Sequence, residues 1–147
     1  LSRPSCTTAG GRTVYGGAGI HPDVVLPTTS PPLWLFRTLE EDLPLRWIPG
    51  FLEAGGARFE DPEAMAADPT LDPRAIADFR AFAADHDVHI PDSAEADRTL
   101  SRLLLVRIAR IRWGDAGAYR VMASLDGDIE RAAAQLDAAA ALPGVRP

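Results

Sequence analysis

Asp85, His86, Asp87 and His89 bring four side chains of metal-ligating type into five residues. Zinc or calcium could use such groups. The spacing, however, matches neither the His-Glu-x-x-His pair nor the calcium-loop pattern. An imidazole near a helix C-terminus is also favoured by the helix dipole alone. Helix capping is therefore the reading the spacing favours, with a metal site as the alternative, and no cofactor is expected. Ser5, Ser30, Ser93, Ser101 and Ser124 are the candidate nucleophiles and three histidines the candidate bases. None of these serines sits in a nucleophile-elbow pattern. All 15 basic residues are Arg, so the chain offers no Lys as a general base. A desolvated Lys can shed its proton near neutral pH, whereas Arg, with a pKa above about 12, cannot. Gly16, Gly17, Ala18 and Gly19 suggest a phosphate cradle, but neither Lys-Ser/Thr nor a helical pattern follows them. Catalysis is not expected of these residues.

The elements that must position these groups are bounded by composition. At 147 residues the chain can bury one ordinary core. Its 21 acidic against 15 basic residues argue against general nucleic-acid binding, which needs a basic footprint. Cys6 is the sole cysteine and has no partner for an internal disulfide. No apolar run approaches the about 20 residues that span a bilayer. The stretch from Leu1 to Cys6 resembles neither a signal peptide nor a lipobox, so the natural N-terminus is expected to lie elsewhere.

The fold class expected is mainly α: a short N-terminal β-hairpin over residues 1–30, then a tail of about five helices over 31–147. Residues 12–15 read as one strand and 23–26 as its partner, closed by Pro27. Thr28 to Pro32 form a breaker-rich joint. A helix is expected from Leu33 to Glu41, while Leu43 to Phe51, interrupted by Pro44 and Pro49, reads as a turn with at most a short helix. Asp61-Pro62 and Asp72-Pro73 each combine an N-cap with a first-turn proline. The second pair opens a helix to about Asp85 that turns Ile76, Phe79 and Ala83 inward. Asp92 or Ser93 opens the longest helix, to about Trp113, with Leu100, Leu103, Leu104, Ile108 and Ile111 on one stripe. Gly114 and Gly117 punctuate a short segment through Tyr119. A last helix after Asp126 is expected to bury Ile129, Ala132, Ala133 and Leu136.

Arg98, Arg102 and Arg112 fall opposite that stripe and read as a solvated face. Arg107 falls within it and is expected to meet a buried carboxylate or to snorkel. Half of the chain's aromatic side chains lie between residues 33 and 59: Trp34, Phe36, Trp47, Phe51 and Phe59. Most read as core. Together with Val14, Tyr15, Val24 and Leu26 of the expected hairpin they also supply the apolar surface from which a partner interface could be made.

The stretch from Thr8 to Pro27, TAGGRTVYGGAGIHPDVVLP, resembles the segment that ends the catalytic domain of C-terminal processing (tail-specific) serine peptidases. One bacterial branch of that family carries Gly-Arg-x-Val-Tyr-Gly-Gly-Gly-Gly-Ile-x-Pro-Asp, and in this chain Ala18 replaces one of its glycines. Residues 107–121, with Arg107 and Trp113, are similar in character to the same branch's helical extension. The resemblance assigns scaffold roles to Gly16, Gly17, Gly19, Pro22, Asp23, Arg107 and Trp113. In that family the Ser–Lys dyad and the peptide-binding PDZ domain lie upstream of the motif, so residues 1–147 would hold neither.

The resemblance implies a non-catalytic structural or interaction module. It would be a periplasmic, membrane-extrinsic scaffold subunit stabilising a larger membrane protein complex, such as a photosynthetic or other energy-transducing one. The alternative is the C-terminal fragment of a full-length envelope peptidase, supporting its folding or oligomerisation. Either way the partner is a protein assembly, and Tyr15, Trp34, Phe36, Trp47 and Phe51 are the expected partner-binding residues.

Overall fold

A computed structural model describes residues 4–8, 10–11, 13–16, 24–26, 30–57 and 59–141. The chain is mainly helical, with one two-stranded antiparallel hairpin near the N-terminus. It divides into two compact units, one formed by Leu1–Thr29 with Glu130–Pro147, the other by Ser30–Ile129.

In the first unit, β1 (Ser5–Thr7) pairs with β2 (Thr13–Tyr15) so that Cys6 faces Val14. The strand expected at 12–15 is present, but its partner precedes it. Val24 to Leu26 are not a strand. Between the strands the Gly11 N–H, on a left-handed glycine, donates to the Thr8 carbonyl at 2.9 Å. Gly16 closes the hairpin, its N–H donating to the Pro4 carbonyl at 2.6 Å, and a Cβ there would crowd the Pro4 ring. Gly17, Gly19, Pro22 and Asp23 lie outside the described residues. Every side chain of both strands is exposed.

The second unit is built around α5 (Ala94–Leu125). Against it pack α2 (Leu43–Glu53), α3 (Pro62–Ala67) and α4 (Pro73–Ala84), while α1 (Leu33–Glu40) packs on α2. Three of the N-caps act as their residue types require, whereas Asp42 of α2 is left-handed and makes no side-chain cap bond. The Asp61 side chain accepts from the Ala64 N–H at 2.7 Å, Asp72 from Arg74 at 2.8 Å, and Ser93 from Ala96 at 3.2 Å. The core joins Leu43 and Ile48 of α2, Met65 of α3, Ile76, Phe79 and Ala83 of α4, and Leu100, Leu104, Leu105 and Ile108 of α5.

Three expectations are corrected. Residues 43–53 form an 11-residue helix, not a turn. Pro44 stands in its first turn, where no N–H is needed, and Pro49 falls on its exposed side, so burial of Leu43, Pro44 and Ile48 outweighs the lost interior bond. The buried face of α5 is also wider than the sequence stripe. Leu105 and Ala109 are inside, Leu103 is half-buried and Ile111 is exposed, because α2, α3 and α4 wrap more than one side. Finally, α6 (Gly127–Ala133) and α7 (Leu136–Ala140) bury none of Ile129, Ala132, Ala133 and Leu136.

The long helix is broken at Gly114, whose φ of 70° and ψ of −164° belong to a region essentially restricted to glycine. The break folds Trp113 against Gly117, where a Cβ would meet the Trp113 Cβ at 2.6 Å. Gly114→Ala is therefore expected to lower stability by about 1–3 kcal/mol, read as a shift in the urea midpoint. An unchanged or raised midpoint would mean that residues 94–125 form one straight helix.

Candidate docking surface

The first helix of the second unit is short and begins without a side-chain cap, its N-cap being Pro32. Its single buried residue is Thr38, whose hydroxyl donates to the Trp34 carbonyl at 2.8 Å one turn back. Trp34 and Leu35 are half-buried beside it. The opposite face carries Leu33 (70% exposed), Phe36 (55%) and Leu39 (37%). These residues follow at i, i+3 and i+6, which makes one stripe on a helix surface. Leu45, near the start of α2, is exposed as well. Arg37, Glu40 and Glu41 supply polar groups around the stripe. An ordinary surface helix turns its apolar face inward. In α1 a second apolar face is turned out.

The candidate partner-binding residues separate into three environments. Phe36 is exposed on α1. Trp34, Trp47 and Phe51 are half-buried and packed on the core. Tyr15 is exposed on β2, in the other unit. Trp47 stacks on Phe51 with ring centroids 4.5 Å apart and meets Phe79 edge-on at 5.3 Å. Phe79 in turn lies 6.4 Å from Phe82, and Phe82 lies 4.4 Å from the His86 ring. This ladder of rings fastens α2 to α4. Phe51 also explains Gly56, because its ring occupies the place a Cβ at residue 56 would need.

His86 closes the ladder. Its Nδ1 lies 2.8 Å from the Phe82 carbonyl and its Nε2 lies 2.7 Å from the Arg46 guanidinium. A carbonyl can only accept and a guanidinium can only donate, so Nδ1 carries the hydrogen and Nε2 offers its lone pair to Arg46. Both ring nitrogens are thereby used in joining α2 to the end of α4. His89 is exposed, and among the described residues no three His, Cys, Asp or Glu side chains are gathered as a metal ion would need.

Asp87 is left-handed (φ 59°) where α4 ends. The Val88 N–H donates to Ala83 and the Asp87 N–H to Ala84, the paired bonds of a Schellman cap, with Val88 buried. Glycine is the residue this position favours, so Asp87→Gly is expected to raise stability by about 1 kcal/mol, measurable as a higher urea midpoint. A lower midpoint would give the Asp87 carboxylate a stabilising contact of its own.

Arg107 is half-buried and meets no carboxylate among the described residues. The widened buried face of α5 leaves it at the margin, where its stem can cover apolar surface while the guanidinium reaches solvent. Trp113 packs on the core, with the Arg112 guanidinium 4.6 Å from its ring centroid. Arg112 also donates to the Ala57 carbonyl at 2.8 Å and so ties the loop after α2 to the break in α5.

Leu33, Leu39 and Leu45 are not among the residues that sequence reasoning singles out. The signal for the first two is the i, i+3, i+6 spacing on α1, but Trp34, Leu35 and Thr38 form a competing face. Nothing local says which of two faces is covered. No protein-family model, curated protein or solved structure matches the chain.

Proposed function

We propose that these residues form a non-catalytic docking module, placed on the periplasmic side of a larger membrane-attached protein assembly. The observation that supports docking is the second apolar face of α1, which leaves Leu33, Phe36 and Leu39 in solvent while Trp34 packs on the core. A contiguous apolar stripe with charged neighbours has the composition of an interface centre inside a polar rim. The periplasmic location and the kinship with Ser–Lys peptidase tails rest on the motif from Thr8 to Pro27. A peripheral mode of attachment agrees with the absence, among the described residues, of any helix long and apolar enough to cross a membrane.

Residues 1–147 lack the Lys that a Ser–Lys mechanism uses as its base, which supports a structural role over a catalytic one. Fractionation of the cells that make the protein tests the proposal. The chain is expected in the washed envelope fraction, released by treatments that strip peripheral proteins. Recovery wholly in the soluble cytoplasmic fraction, with no associated assembly, would overturn it.

A further inference from the structure

An open cleft of about 510 Å³ lies within the second unit, between the start of α4 and the first half of α5. Its apolar wall includes Leu71, Ile76 and Leu125, and its charged wall is Arg80, Arg98 and Arg102, with Asp97 as its acidic residue. Asp97 is already committed to Arg80. Arg102 has only a long contact of 3.9 Å to Asp126, and Arg98 has no ion pair among the described residues. Arg98 and Arg102 stand one turn apart on the same helix face, where two like charges repel unless an anion lies between them. Arg80, the third cation of this wall, is held by Asp97 and, at 3.7 Å, by Asp92, which leaves Arg98 and Arg102 as the groups open to a ligand. In a chain of net charge −6, the rim of this cleft thus carries Arg98 without an ion pair among the described residues and Arg102 with only a distant one.

We propose that this cleft binds a small amphiphilic carboxylate, its apolar body against Leu71, Ile76 and Leu125 and its carboxylate between Arg98 and Arg102. The volume suits one small molecule. Planar guanidinium groups match carboxylate geometry and give the stronger, charge-assisted class of hydrogen bond. This site is separate from the α1 stripe, and its test does not depend on the docking proposal.

The test is calorimetric titration of the full chain with decanoate, 1-decanol and sodium sulfate, alongside methyl NMR shifts of Leu71, Ile76 and Leu125. Decanoate is expected to bind saturably and shift those methyls. 1-Decanol and sulfate, each offering half of the ligand's chemistry, should bind at least about tenfold more weakly. Arg98→Gln with Arg102→Gln, both at exposed side chains, should weaken decanoate by about ten- to a hundredfold with an unchanged melting temperature. Raised salt should weaken decanoate binding to the parent chain, which checks the charge contribution without any variant. Equal binding of 1-decanol, equal binding of sulfate, no loss in the double variant, or no saturable decanoate binding would each overturn the proposal.

Discussion

Replacing Phe79 with alanine is expected to lower the unfolding free energy by about 3–5 kcal/mol. Phe79 is fully buried and is the middle rung of the ring ladder, edge-on to Trp47 and tilted against Phe82. Truncation removes apolar area, leaves a cavity between α2 and α4, and deletes both ring contacts. A unit of this size has a total stability of about 5–15 kcal/mol, so the loss is a large share of it. The urea midpoint followed by circular dichroism reads the effect directly. Phe79→Leu, which keeps most of the volume, should cost much less. If the alanine variant stays within about 0.5 kcal/mol of the parent, the size usual for surface substitutions, α2 and α4 are not held together by this ladder.

The second large effect is on association. If the chain docks as proposed, Leu33→Asp combined with Phe36→Asp is expected to weaken its attachment to a partner assembly by roughly a hundredfold or more. Each large apolar side chain fully buried in an interface is worth about 1.5–3 kcal/mol, and every 1.4 kcal/mol is a factor of ten. Both residues are exposed, so the melting temperature of the isolated chain should hardly change. Acidic residues near the N-terminus of α1 are even favoured by its dipole. Trp47→Ala provides the contrast. It should lower stability, because Trp47 is engaged with Phe51 and Phe79, and any loss of binding would follow from that. Unchanged association of the double aspartate variant, measured by surface plasmon resonance on the purified assembly, would remove α1 from the interface.

Much of this fold is legible in the residues. The caps at Asp61, Asp72 and Ser93 are local devices, and they begin helices where their side chains say they should. The inward face of α4 can be read from Ile76, Phe79 and Ala83, because a single helix face against one core obeys the 3.6-residue period. Residues 43–53 defeat a sequence reading because proline rules are local, whereas the burial of Leu43 and Ile48 that carries the helix is tertiary. The hairpin pairing escapes for a similar reason. Val14 pairs with Cys6, not with a residue of the expected strand 23–26, and strands with every side chain exposed leave no alternation to fix the register.

The candidate surface is half legible. Aromatic density between residues 33 and 59 points to the right region. It cannot separate Phe36, which is exposed, from Trp47 and Phe51, which stack on each other against the core. That separation depends on which side of the α1–α2 hairpin meets α4 and α5, a fact of packing, not of composition. The Arg-lined cleft is hidden in the same way. Arg98 and Arg102 read as a solvated face until Leu71, Ile76 and Leu125 are brought beside them.

The most direct test of the docking account is photo-crosslinking from position 36. A photoreactive phenylalanine analogue at Phe36, compared with the same group at exposed Glu53 on α2, reports which face meets a partner in intact cells. The account predicts one discrete protein adduct from position 36, lost on introducing Leu33→Asp, and none from position 53. No adduct at position 36, or the same adduct from both positions, would contradict it.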